Sequence, residues 1–327
     1  MGCYKHLSAE EREDIMCLMH EGISQSEIAI RLGRSISTVN REIARNSFRG
    51  CYRASTAQKK YVTRRKKCVR PSKLSNNEIF LLVADKFLNE QWSPEQIEIR
   101  LRFEGSSISI SDTTIYRGIH AGMFDQYLPG HKKASRKLRH KGKRRRKARH
   151  LDERRGKFEV PARINERPRA AEKRSETGHW ESDTVAGVVR GACIVTNVDR
   201  MSGFAIGGKA SKKGKNEVAY VMKKCFSEYE AKSCTPDCGK EFAGYSEVSD
   251  ACGVKFYFAY PRHPWERGSN ENFNGLLREY FPKGIPIDDV PDNIIQAAFD
   301  KINLRPRKRH GGRTPYEVYY STELHLI

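Results

Sequence analysis

The chain has 327 residues, 38% of them hydrophobic, with 14 Phe, 14 Tyr and 3 Trp, which is enough apolar material for real cores and excludes wholesale disorder. Its 61 Lys and Arg stand against 40 Asp and Glu, a formal net charge of +21 that is unevenly spread: residues 1–150 hold 32 basic and 15 acidic side chains, residues 151–327 hold 29 and 25. A basic first half points to a polyanion, nucleic acid above all, while the lack of any apolar run of ~18–20 residues argues against a membrane span. Residues 1–22 have no signal-peptide core, and nine scattered Cys suit a reducing compartment better than a disulfide framework, so a cytoplasmic, nucleoid-associated protein is expected.

Three short helices open the chain. Ser8 caps the first, with Glu10 and Glu11 in its first turn, where acids suit the helix dipole, and Gly22 stops it. The second runs from about Ser24 to Leu32, with Ile28, Ala29 and Leu32 on one face; Gly33 then makes a tight turn. The third starts at Ser35-Ile36-Ser37-Thr38-Val39-Asn40-Arg41-Glu42-Ile43, with Val39 and Ile43 inward and Ser37, Thr38, Asn40 and Arg41 outward. Helix, Gly turn, and a helix whose first turns carry short polar groups and Arg describe a helix-turn-helix, because such a helix must reach base edges from its N-terminal turns. Asn and Arg offer paired contacts to adenine and guanine there. The DNA face is expected to comprise Ser35, Ser37, Thr38, Asn40, Arg41 and Arg45, in a domain spanning 1–50, and a basic linker follows over 51–74.

A second helical unit, helix-turn-helix-like, is expected over 75–130. Ser93 caps a helix with Pro94 in its first position, Ile97 and Leu101 form an apolar stripe, and Ser111 or Asp112 caps another helix that includes Arg117. Residues 131–149 then carry 12 Lys or Arg in 19 positions with no apolar pattern, which reads as part of a linker over 131–173 that grips phosphate without reading sequence.

From about Arg174 the pattern turns to strands. Trp180–Gly187 alternates, Ala192–Asp199 is a continuous apolar run, and Phe204–Ile206 follows a Ser-Gly turn. A helix over Asn216–Tyr229 and a strand over Val254–Ala259 complete the element order of a ribonuclease-H-like domain. Three acids stand out in it. Asp183 lies on the first strand, Asp237 in the turn after a short strand, and Glu271 at the start of a helix, with 33 residues between the last two. Carboxylates converging from two strands and a helix would hold two hard divalent ions, Mg²⁺ or Mn²⁺, through oxygen ligands. Such a pair clamps the attacking and leaving oxygens of an in-line phosphoryl displacement. On the helix bearing Glu271, Arg267, Asn270, Asn274 and Arg278 are expected to touch the DNA backbone.

These strings resemble the insertion-sequence transposases of the IS-thirty family. The resemblance rests on His6-Leu7-Ser8 through Arg45-Asn46, on Trp92-Ser93-Pro94-Glu95-Gln96-Ile97 with Thr114-Ile115-Tyr116-Arg117, and on Gly178-His179-Trp180-Glu181-Ser182-Asp183-Thr184. It continues through Gly239-Lys240-Glu241-Phe242, Pro264-Trp265-Glu266-Arg267-Gly268-Ser269-Asn270-Glu271-Asn272, Asn274-Gly275-Leu276-Leu277-Arg278, and the tail from Asn303 to Arg307 and Thr314 to Val318. It implies an α+β multidomain chain: all-α helix-turn-helix modules, then an integrase-like α/β catalytic core with a C-terminal tail over 174–327. It implies further that Asp183, Asp237 and Glu271 catalyse two-metal-ion cleavage and strand transfer on double-stranded DNA, both terminal inverted repeats and target. Self-association into at least a dimer follows, since two ends must be held, and no membrane partner. An alternative from a different class is a helix-turn-helix repressor that no longer cuts. Two departures from the family pattern are Cys238, where a polar residue is commoner, and 231–234, poor in apolar residues for a buried strand.

Overall fold

The structure, a computed structural model, describes residues 5–68, 70–139, 160–261 and 263–327. The chain divides into two compact units, Met1–Ser72 and Lys73–Ile327.

In the first unit, α1 (Ala9–His20) starts at Ser8, whose hydroxyl accepts from the Glu11 amide while the Glu11 carboxylate accepts from the Ser8 amide. Helices α2 (Gln25–Arg31) and α3 (Ile36–Asn46) follow. The turns between them use Gly22 at φ +78° and Gly33 at φ +60°, left-handed conformations that a side chain disfavours. Ile15, Ile28, Val39 and Ile43 form the core. Where a basic linker was expected, the structure has a fourth helix, α4 (Ala54–Lys67). Its apolar stripe is little more than buried Ala54 and Ala57, too small to stand out against its cations. Arg12 ties the unit together: buried, it donates to Glu42 of α3 at 2.7 Å and to Gln58 of α4 at 2.8 Å, and lies over the Tyr61 ring.

The second unit begins with α5 (Asn77–Ala84), α6 (Pro94–Phe103) and α7 (Asp112–His120), around Phe87, Trp92, Ile97, Ile115 and Phe124. Ser93 and Gln96 form a capping box at α6, and Ser111 caps α7. The greater part of the expected basic linker, residues 140–159, lies outside the described residues. A short helix, α8 (Arg169–Lys173), leads into the sheet.

The sheet has five strands: β1 (His179–Ala186), β2 (Cys193–Asp199), β3 (Ala205–Ala210), β4 (Ser233–Thr235) and β5 (Lys255–Phe256), ordered β3-β2-β1-β4-β5. β1, β2 and β3 pair antiparallel, and β4 runs parallel to both β1 and β5. Period-two alternation sends Trp180, Cys193 and Val195 to one face, against α9 (Lys215–Glu228) and α10 (Tyr245–Cys252). Val185, Ile194 and Val198 go to the other, against α11 (Gly268–Leu277) and α12 (Asp292–Asn303). The unit closes with α13 (Pro315–Tyr320). The polar segment before Asp237 is nonetheless a buried strand, since β4 lies between two partners that satisfy its backbone. The expected strand over 254–259 is cut to two residues because Phe258 pairs instead with the loop at Arg163. Among the described residues no helix is long and apolar enough to cross a membrane.

Candidate active site

Asp183 is on β1, opposite Thr196 of β2, on the face that packs against α11. Its Oδ1 accepts from the Thr184 amide at 2.8 Å and its Oδ2 from Asn274 Nδ2 at 3.1 Å. Asp237 lies just past the end of β4, its Oδ1 accepting from the Gly239 amide at 2.9 Å. Arg267 stands between the two acids: one guanidinium nitrogen is 3.5 Å from Asp183 Oδ2, the other 3.6 Å from Asp237 Oδ2. Burial raises the Asp183 carboxyl above its ordinary range; Arg267 pulls it down and the charge of Asp237 pushes it up. Two of the three sequence-expected acids therefore converge on a single cation.

Glu271 is in the first turn of α11 and exposed, one turn before Asn274. Among the described residues, no three His, Cys, Asp or Glu side chains stand close enough to hold a metal ion. Two carboxylates are assembled, and the third is placed on the helix bonded to one of them.

The helix carrying Glu271 is held to the sheet by polar contacts. Glu181, fully buried on β1, accepts from the Asn270 amide at 3.0 Å and pairs with Arg200. Thr196 Oγ1 lies 3.0 Å from Asn270 Oδ1 and 3.1 Å from Asn274 Oδ1, and Arg267 donates to the Ser182 carbonyl at 3.0 Å. Burial takes one of the expected DNA contacts on this helix, Asn270, out of reach of a DNA backbone. Asn270 is fully buried, and Arg267 and Asn274 turn toward the acids. The polar stripe 267–270–274 has helical spacing, but it faces an acid-bearing sheet, where Arg267, Asn274 and the Asn270 carbonyl oxygen find partners and Asn270 Nδ2 has none among the described residues. Arg278 is half-buried and donates to the Phe281 carbonyl at 3.4 Å. Glu181 was missed in the sequence; its signal is its position two residues before Asp183, which puts both acids on one face of β1. The Cys238 thiol donates to the Ala259 carbonyl at 3.2 Å and accepts from Arg163 at 3.4 Å.

A second candidate surface lies in the first unit. Ser35, Ser37, Asn40, Arg41 and Arg45 are exposed on α3 and its cap, and Thr38 is half-buried. Ser35 and Thr38 hydroxyls are 2.8 Å apart, and Arg41 Nε donates to the Ser37 carbonyl at 3.0 Å. The basic side chains Lys59, Lys60, Arg65, Lys66 and Lys67 are exposed on α4. The described end of the basic block also meets α11: Arg139 donates to Asn272 Oδ1 at 3.0 Å.

Residues 3–46 match the helix-turn-helix domain family. Over 96% of its length the chain is 36% identical to a transposase for insertion sequence element IS4351 of Bacteroides fragilis, covering 95% of that protein. It is 34% identical to transposase InsI for element IS30A of Escherichia coli (strain K12), over 96% of this chain and 83% of that one. A transposase for element IS1086 of Cupriavidus metallidurans is 33% identical, with 96% and 94% covered.

Proposed function

This chain belongs to the insertion-sequence transposases of the IS-thirty type, and from that premise we propose that it cuts and joins DNA at the ends of such an element through Asp183, Asp237 and Glu271. The observation that carries the chemistry is the convergence of Asp183 and Asp237 on one cationic group. Carboxylate oxygens are the donors that Mg²⁺ and Mn²⁺ prefer, and both point to a place where the protein already keeps positive charge. Glu271 is the third donor in this reading. Divalent ions bound there would stabilise charge developing on the attacking and leaving oxygens of an in-line phosphoryl displacement.

The chain's own groups prepare that site. The Thr184 amide and Asn274 hold the two oxygens of Asp183, fixing the carboxylate orientation before any substrate arrives. Burial makes ionised Asp183 costly on its own, so a neighbouring cation is part of its working state. Glu181 and Arg200 fix the N-terminal part of α11 and thereby the approach of Glu271. In the first displacement a bond forms from water oxygen to phosphorus as the bond to the 3′-oxygen breaks, freeing a 3′-hydroxyl. In the second, that hydroxyl attacks a phosphate of target DNA in the same way.

The exposed face of α3 reads the terminal inverted repeats and the cations of α4 grip the backbone, the division of labour typical of this motif. The strand order supports a ribonuclease-H-like core. Two ends must be held at once, so a second copy of the chain is the expected partner in the working complex, which acts at the bacterial nucleoid. The test is a labelled duplex carrying the element's terminal repeats, incubated with Mg²⁺ or Mn²⁺ and analysed for nicking and joining. Asp183→Asn should lose both reactions and still shift the duplex in a gel; joining by that variant would overturn the assignment.

A further inference from the structure

We propose that Arg267 is the resident counter-cation of the acidic site, occupying it until a divalent ion displaces the guanidinium. This rests on the reading of Asp183 and Asp237 as metal donors, and it adds a residue that competes with the metal.

The geometry separates this arginine from the structural ones. Arg100 grips Glu317 with two bonds of 2.6 and 2.9 Å, the close fork by which guanidinium locks carboxylate. Arg267 instead stands 3.5 and 3.6 Å from its two acids, beyond hydrogen-bond length to either. Among the described residues its one hydrogen bond is to the Ser182 carbonyl, 3.0 Å away, which parks the head group beside Asp183 without hydrogen-bonding either carboxylate. The contact is therefore charge compensation, and the carboxylate lone pairs facing Arg267 stay available to a metal.

Arg267 is also placed to leave. Its backbone, at φ −123° and ψ 42°, is outside the helical range, at the junction between the turn Pro264–Arg267 and α11. Its side chain can swing on its own torsions without unwinding the helix. With the guanidinium in place, two carboxylates and one cation sum to a single negative charge; a divalent ion in its place brings the pair to neutrality. Without either, two half-buried carboxylates lie near one another with only the charges of Lys213 and Arg278 left to act on Asp183.

Displacing Arg267 is thus a cost that metal binding must overcome, and removing the side chain has opposite effects on the metal-free and metal-bound forms. The experiment uses full-length protein, stripped with chelator and free of DNA, titrated with Mn²⁺ by calorimetry after subtracting the binding retained by Asp183→Asn. Arg267→Gln should melt at lower temperature without metal and bind Mn²⁺ about tenfold more tightly, equivalent to ~1.4 kcal/mol. Arg267→Lys, a point charge on a shorter head group, should fall between Gln and the native chain, and it decides the question if the Gln variant does not fold. Unchanged or weaker Mn²⁺ affinity in the folded variant overturns the counter-cation role. The two readings fail differently: Asp183→Asn that binds Mn²⁺ like the native chain removes the metal site itself, whereas loss of binding there with no gain in Arg267→Gln removes only the role of Arg267.

Discussion

Arg100 and Glu317, 217 positions apart in sequence, meet as a fully buried ion pair with two bonds of 2.6 and 2.9 Å. Arg100 lies on α6, and Glu317 is in the first turn of α13. The same guanidinium donates to the carbonyls of Gly312 and Leu324, and Glu104 accepts from the amides of Leu326 and Ile327. The C-terminal tail is therefore clasped to the helix that the sequence marks as part of a second helix-turn-helix, and α6 and the tail behave as one body. Breaking a buried pair by removing one partner strands the other charge, at a cost of about 3–5 kcal/mol. Glu317→Ala should lose about that much in urea unfolding. The double variant with Arg100→Met should recover part of it, because the guanidinium is then no longer stranded; recovery stays partial because Glu104, which also pairs with Arg100, is left with only the amides of Leu326 and Ile327. A double variant as unstable as the sum of the two singles would show that they do not act on each other.

The clasp also sets an acid limit. Burial alone would raise the Glu317 carboxyl, but Arg100 and the amides of Thr314 and Leu324 outweigh it and bring it down to about 2. A depressed carboxylate contributes its full stability above its unfolded value near 4.5 and loses it as pH falls from there toward 2. His310 acts in the same direction at a higher pH. Burial first, then the charge of Arg309, lowers its imidazole to about 4, so it is neutral when folded. Its contribution is complete above about 6.5 and declines as pH falls toward 4, by about 3 kcal/mol in all. Melting curves between pH 7.5 and 4 should fall less steeply for His310→Gln than for the native chain. Equal slopes would place the acid sensitivity elsewhere.

The parts of this architecture that the sequence displays are those with local punctuation. Ser8 and Ser24 as caps, with Gly22 and Gly33 at positive φ, mark the first helices within a residue or two. The acids stand in distinctive strings, on β1, just past β4 and in the first turn of α11. α4 escaped because its buried stripe is built from alanines within a run of cations, which no hydrophobic period reveals. The inward turn of Asn270 and Asn274 escaped for a different reason: polar residues on a helix are expected to face water unless the opposing surface is itself polar, and Glu181, Asp183 and Thr196 supply that surface only once the sheet has formed. The Arg100–Glu317 clasp has no local signal at all, since its meaning depends on a tail that returns across the whole unit.

The exposed cations of the first unit separate two kinds of DNA contact. Arg41, on the outer face of α3, is expected at a base edge, so Arg41→Ala should weaken binding to the terminal repeat by about 1–3 kcal/mol and relax sequence preference. Lys60, exposed on α4, is expected at phosphate. Lys60→Ala should weaken binding to every duplex alike and reduce the slope of log affinity against log salt by about one. Fluorescence anisotropy on specific and scrambled duplexes over a salt series measures both. A uniform loss from Arg41→Ala would move that residue to the backbone-contact class.

Asn274 separates positioning from chemistry at the acidic site. It gives a hydrogen to Asp183 Oδ2 at 3.1 Å while its own carbonyl oxygen lies 3.1 Å from the Thr196 hydroxyl, so the amide cannot rotate without losing both contacts. Deleting it leaves all three proposed donors in the chain but frees one oxygen of Asp183 to turn away. Misplacement of a reacting group by a small distance costs on the order of a hundredfold in rate. Asn274→Ala should therefore slow strand joining by about tenfold to a hundredfold at saturating metal, with binding to the terminal repeat unchanged because the face expected to read it is on α3. Asn274→Asp should be slower still: it replaces a donor with a like charge beside Asp183, and raising Mn²⁺ should recover part of the loss. Thr196→Val, which keeps the shape and removes the hydroxyl, should show a smaller effect in the same direction. Full activity in Asn274→Ala would mean that the Thr184 amide alone sets the carboxylate, and the contact from α11 would then be only a packing feature of the helix.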